Sequence, residues 1–202
     1  MKVRVNTEVV ASLFNDLVRH SEFENGVRAS ARRERREVMV ETKAEPKVIH
    51  ATCVVERSFA KSAEAVWAAL SEPDKVRKWY GDGDNQEVVE FALKFAVGGT
   101  QRLSYRFKPG HPLDGMVLVN DGIFQDIIPG QRIVSASTMM IGDRHISASL
   151  VTFELVPTEQ GTDLVMTHQG AFFEGAGPEP ARMREAGWNV LMDKLAKVVS
   201  GE

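Results

Sequence analysis

The sequence predicts an α+β domain: a curved antiparallel sheet of about seven strands wrapped around one long C-terminal helix, with two short helices after the first strand. Three observations carry this. Strand-like stretches follow one another between short turn signals from residue 86 to residue 170, and links that short favour antiparallel neighbours. One apolar stripe at helical spacing, Trp188, Leu191, Met192, Leu195, Val198 and Val199, follows them. Of the 202 residues, 43% are hydrophobic and 26% charged, the composition of a soluble globular chain.

Composition shifts near residue 48. Residues 1–48 carry a net charge of +2, and 49–202 carry −5. The first part holds one helix signal. Asn6 or Thr7 can cap it, Val9, Val10, Leu13, Phe14, Leu17 and Val18 recur with helical spacing, and Asn25-Gly26 stops it. Its single apolar stripe suits docking on the main domain or on a second subunit, so a homodimer is one expectation. The run from Arg28 to Arg36 has charge without apolar periodicity. It reads as a solvated linker, with an anionic partner such as RNA or a membrane surface as the sharper alternative. No aromatic interleaves it, which argues against base stacking and against a nucleic-acid partner. Residues 1–48 are thus an extension, expected to be dispensable for folding, and 49–202 the domain.

Within the domain, 50–59 suits the first strand. Ser62 caps a helix carrying Val66, Trp67, Ala69 and Leu70, with Glu64 in its first turn. Pro73-Asp74 breaks that helix and opens a shorter one from Lys75 to Trp79. Six strands are expected near 86–95, 99–107, 116–128, 131–141, 145–156 and 162–170. Their separators are Gly98-Gly99, the 109–112 turn, Pro129-Gly130, Gly142-Asp143 and the 159–161 turn. Asp121-Gly122 falls inside a strand pattern and predicts a bulge. Gly177 to Pro180 opens the long helix, and Lys194 and Lys197 suit its C-terminal end.

Several chemistries are excluded or disfavoured. Cys53 is the single cysteine, so neither an internal disulfide nor a cysteine-rich zinc site can form. By alternation it shares a strand face with Val55 and reads as buried and inert. The five histidines show no close ligand spacing, so no metal is expected. Asp82 to Asn85 lacks the later glycine and glutamate of a calcium loop. There is no phosphate loop, dinucleotide fingerprint or nucleophile elbow, and no cofactor or catalytic residue is assigned. No uncharged apolar run approaches the ~18 residues of a membrane span, and no secretory signal is seen. A cytoplasmic protein with no membrane insertion is expected.

Leu164, Met166 and His168 share one face of their strand by alternation. An inward His168 must find a partner: a ligand, a proton to move, or a neighbouring side chain, the last being the plainer reading. His145 sits by a turn and reads as exposed. Tyr105 shares the inner face with Leu103 and Phe107, while Arg102 and Arg106 face water.

These words in this order resemble the START-related helix-grip (SRPBCC) superfamily. Within it they resemble the proteins homologous to the activator of the heat-shock-protein-90 ATPase. The residues that carry the likeness are Ala63 to Leu70 with Pro73 and Trp79, Phe95 to Gly99, Gly122 to Ile133, Val151 to Leu155, Gly161 to Leu164, and Gly187 to Leu195. The resemblance implies a helix-grip fold with an apolar cavity between sheet and last helix, able to take a small apolar molecule. On that basis Trp67, Trp79, Tyr105, Phe124, Phe153, Met166, His168, Trp188 and Met192 are expected to line it, Trp188 and Met192 foremost. It implies no activity. A cavity enzyme, cyclase- or hydrolase-like, and a chaperone-linked stress protein are the alternatives. The founding activator has an additional N-terminal domain that binds the chaperone. Residues 1–48 are too short for it, so chaperone activation is not carried over.

Overall fold

Period-two alternation of apolar and polar side chains builds every strand of the sheet. A computed structural model describes residues 48–201 apart from 82, 84 and 178. The helix predicted between residues 6 and 25 and the arginine run at 28–36 lie outside the described residues. The elements are β1 (Ile49–Phe59), α1 (Ala63–Ser71), α2 (Pro73–Val76), a π turn (Arg77–Gly81), β2 (Gln86–Leu93), β3 (Thr100–Phe107), β4 (Val117–Ile128), β5 (Arg132–Ile141), β6 (Arg144–Thr158), β7 (Gly161–Phe172) and α3 (Pro180–Ser200).

The strands form one antiparallel sheet in the order β1-β7-β6-β5-β4-β3-β2. The first strand neighbours the last, so the chain crosses from one sheet edge to the other between β1 and β2. The two helices and the π turn make that crossing. The α3 helix then lies against β1, the π turn and α1, giving the helix-grip arrangement.

Local chemistry explains the boundaries. The Ser62 hydroxyl accepts from the Ala65 N–H at 3.4 Å and caps α1. Pro180 occupies the first turn of α3, where its missing N–H costs nothing. Gly201 ends that helix at φ 87°, donating its N–H to the Lys197 carbonyl. The expected single helix from Lys75 to Trp79 is instead one α turn followed by a π turn. The Trp79 indole N–H donates to the Ala69 carbonyl at 2.9 Å, tying the wider turn to α1.

Extra residues at Val89, Gln125 and Ile146 bulge β2, β4 and β6, and bulges bend and twist the strands that carry them. The bulge expected at Asp121-Gly122 is not there. Gly122 pairs in register with Gln101 and Ser137. A Cβ at this position would lie 2.9 Å from Gln101 Cγ, so the missing side chain makes room for a neighbour without breaking the ladder. On the outer face, Arg102 bridges Glu90 and Asp121 at 2.7 Å each, an exposed network of small energetic weight.

The packed core sits where α3 crosses the β1 edge. Arg57 of β1 donates to Asn189 Oδ1 and to Asp193 Oδ1 there. Leu164, opposite Arg57, is fully buried, as are Met166, opposite Val55, and Leu195 of α3.

Candidate functional site

A cavity of about 510 Å³ opens between the sheet and α3. Its walls follow from alternation. The inward residues of β5, namely Ile133, Ser135, Ser137, Met139 and Ile141, line it in an unbroken period of two. Leu118, Asn120 and Phe124 of β4, and Gln101, Leu103, Tyr105 and Phe107 of β3, also line it. His168 and Phe172 of β7, Trp79 and Tyr80 of the π turn, and Arg184 and Trp188 of α3 complete the greater part. On β5 the wall includes Ser135 and Ser137, small side chains that fill less of this space than larger ones would.

Of the expected lining residues, Trp79, Tyr105, Phe124, Phe153, His168 and Trp188 are on the wall, whereas Trp67, Met166 and Met192 are not. Trp67 packs edge-to-face on Phe95, with centroids 5.8 Å apart. Met166 and Met192 belong to the packed core under α3. The helix closes down on β1 there, so side chains interdigitate and leave no space. Replacing Met192 with tryptophan would therefore overpack the core rather than block the cavity.

The aromatic wall is mutually braced. Phe153 meets Trp79 and Trp188 edge-to-face at 6.4 and 5.8 Å, and Phe95 meets Phe124 at 5.1 Å. Next to His168, Gly170 has no side chain to part its neighbours. A Cβ there would lie 2.9 Å from both the His168 and Phe172 rings, which approach to 6.2 Å between centroids.

Polar groups cluster on one side of this surface. Arg184 donates from Nη2 to Ser147 Oγ at 2.9 Å and to Met139 Sδ at 3.3 Å. Its Cζ lies 5.7 Å from the centre of the Phe172 ring. Burial lowers its pKa, and the two tyrosines and Cys53 oppose that. Burial pushes Tyr80 up to about 12 and raises Tyr105, with Arg184 countering both. His168 is 1% exposed, and burial, then the Arg184 charge, pull its pKa down to about 4. It is therefore neutral at pH 7. Asn120 Oδ1 and Trp188 Nε1 are buried without a partner among the described residues.

Cys53 is half-buried rather than fully buried. Burial raises its pKa, which leaves it as a thiol and a weak nucleophile. His145 is exposed. Among the described residues, no three His, Cys, Asp or Glu side chains come together as a metal site. No described helix is long and apolar enough to cross a membrane.

Arg184, Tyr80 and the two serines of β5 were not anticipated. A signal existed for Arg184 and for the serines. Arg184 stands four residues before Trp188, on the stripe that faces the sheet. Ser135 and Ser137 are small polar residues at inward positions.

Comparison with known proteins agrees with this architecture. A family model described as "Activator of Hsp90 ATPase homolog 1-like protein" matches residues 60–200. The crystal structure of the Mll3558 protein from Rhizobium loti is 41% identical, with a TM-score of 0.65, covering 75% of this chain and 99% of that one. An uncharacterized protein from Rhizobium leguminosarum is 30% identical at a TM-score of 0.69, covering 78% and 99%. The solution structure of an AHSA1-like protein from Aeromonas hydrophila, 18% identical over 75% and 93% with a TM-score of 0.55, shares the fold. No curated protein matches the chain. The match over residues 60–200, with two relatives at 30% and 41% identity, places the chain in the Activator of Hsp90 ATPase homolog 1-like family of the SRPBCC superfamily.

Proposed function

We propose that this protein binds a small, mainly apolar molecule in the cavity between the sheet and α3. The observation that carries the reading is the cavity itself. Its volume is about 510 Å³, in the range of small-molecule sites, and its wall is apolar with a few placed polar groups, as such sites are. Binding is favoured over acid–base catalysis. A catalyst of that kind needs a group that titrates near neutrality within reach of the substrate. Two histidines line the wall: His168 is held neutral down to about pH 4, and His111 is stacked on Phe107 with its Nδ1 accepting from the Leu113 N–H. Among the described residues no carboxylate lines the cavity.

The test is to fill the space from a tolerant position. Ser137 is half-buried, on the wall, and opposite Gly122 and Ser149 in the sheet. Ser137→Phe is expected to weaken binding of the fluorescent apolar probe N-phenyl-1-naphthylamine by at least about tenfold. Its melting midpoint should stay within a few degrees of wild type, because the new ring enters open space rather than packed core. If the wild-type protein fails to bind the probe below about 1 mM, the ligand-binding reading is wrong.

A further inference from the structure

We propose that the molecule held in this cavity carries a carboxylate on an apolar tail, and that Arg184 receives the carboxylate. The inference rests on the ligand-binding reading above and specifies its chemistry.

The argument begins with what surrounds Arg184. A guanidinium offers five N–H donors in a rigid fork that matches a carboxylate. Here both hydrogen bonds leave from Nη2, one to a hydroxyl and one to a thioether, and the third neighbour is the Phe172 ring. All three are neutral. Among the described residues no Asp or Glu pairs with Arg184, and none lines the cavity. Glu185 is next in sequence but is exposed, and its charge acts on Cys53. Arg184 is half-buried, and a charge drawn partly out of water without a counter-charge is costly. Arg184 lines an open cavity, so the missing counter-charge belongs to what fills it.

The cavity is also polarised along its length. Arg184, Met139, Ser147 and Phe172 mark one end. Ile133 and Phe124 lie toward the other, paired across the sheet with apolar or small neighbours. Met139 and Ile133 are six residues apart on β5, which spans ~20 Å of strand. That is the outline of a head site and a tail channel. Lys194, the other described cation on the wall, stands ten residues along α3, ~15 Å from Arg184 by helix rise, and already has a partner of its own. One guanidinium on a wall of thioether and ring matches one negative charge. A phosphate dianion would leave charge buried and unmatched, so a carboxylate is the better fit.

The test compares dodecanoate with dodecan-1-ol as competitors of N-phenyl-1-naphthylamine at pH 7.5. The alcohol is the more apolar of the two, so transfer from water alone favours it. Wild-type protein is expected to bind dodecanoate at least about tenfold more tightly, the yield of one charge-assisted fork. Arg184→Met should abolish or invert that preference while its melting midpoint stays equal or rises, because an uncompensated charge has been removed. Arg184→Lys should keep part of the preference. If wild-type protein binds both competitors equally or prefers the alcohol, the carboxylate proposal fails while the ligand-binding reading stands. If neither competitor nor the probe binds, the ligand-binding reading itself fails. A preference for dodecanoate that survives in Arg184→Met would also overturn the assignment, since the head group would then sit elsewhere. Should Arg184→Met not fold, the wild-type comparison still tests the carboxylate, and an undiminished preference in Arg184→Lys would overturn the assignment to Arg184.

Discussion

Gly161→Ala is expected to destabilise the domain by roughly 3–5 kcal/mol, enough to remove much of the stability of an ordinary domain. Gly161 sits in the turn between β6 and β7 with φ at +148°, a region that L side chains rarely adopt. Strain is the smaller part. A Cβ at this position would collide with the carbonyl oxygen of Phe59 and lie 3.0 Å from both Ala60 Cα and Lys61 N. Every one of these atoms is backbone, so no rotamer change relieves the contact. The chain after β1 cannot withdraw either. Thr162, buried beside the glycine, donates its hydroxyl to the Lys61 carbonyl at 2.9 Å, and Phe59 pairs with Thr162 at the last rung of the β1–β7 ladder. Relief therefore means prising β1 from β7 beside the packed core. Gly130→Ala is the control. Gly130 has φ 72° with nothing within 4 Å of the added carbon, so only the backbone cost of ~1–2 kcal/mol applies. Urea denaturation of both variants reads the difference. Equal losses would show that the approach of this turn to β1 has no energetic role.

The same glycine shows what a one-dimensional pattern conveys. Gly161 was legible as a turn residue, because turns select glycine for its dihedral freedom. Its closeness to Phe59, a hundred residues earlier, was not, because that contact is a product of the β1–β7 pairing. The seven strands were legible for a similar local reason: alternation and turn signals report a strand wherever it pairs. Their order was not written locally, since β1 meets β7 only after the whole meander has formed. His168 was readable as inward by counting from Leu164. Met166 is inward by the same count and Met192 by the helical spacing of its stripe, yet both are core and not wall, because α3 packs against β1 there. Alternation assigns a face and says nothing of how far the covering helix stands from it. Arg184 was hidden by its type. An arginine on a helix is read as solvated, and only the inward serines and the cavity behind them reveal where its fork can go.

His168 should make stability depend on pH in a window that few native histidines reach. It pairs in register with Cys53 on one side and Val151 on the other, with the Phe172 and Trp188 rings 6.2 Å away. The charged and titratable groups around it are the Arg184 cation and, across the cavity, Tyr80 and Tyr105, which are neutral in this range. Burial first, and Arg184 second, hold its pKa at about 4 in the folded protein. In the unfolded chain it titrates near 6.5. The sign follows from which state takes up the proton. Above about pH 6.5 neither state is protonated at this site and the full contribution is present. As pH falls toward 4 the unfolded state alone gains a proton, so stability drops, by about 3 kcal/mol once pH passes below the folded value. His168→Leu has no proton to gain. Its stability at pH 7.5 should lie within about 1.5 kcal/mol of wild type, and between pH 6.5 and 4.5 it should fall less steeply. Carboxylates titrate in both proteins alike, Glu64 with its pKa lowered by the Ser62 hydroxyl among them, so they cancel in the difference between the two curves. Parallel curves across that interval would mean that His168 is not held neutral. Arg184→Met separates the two causes. It removes the smaller one and leaves burial, so its window should narrow from the acid side without closing.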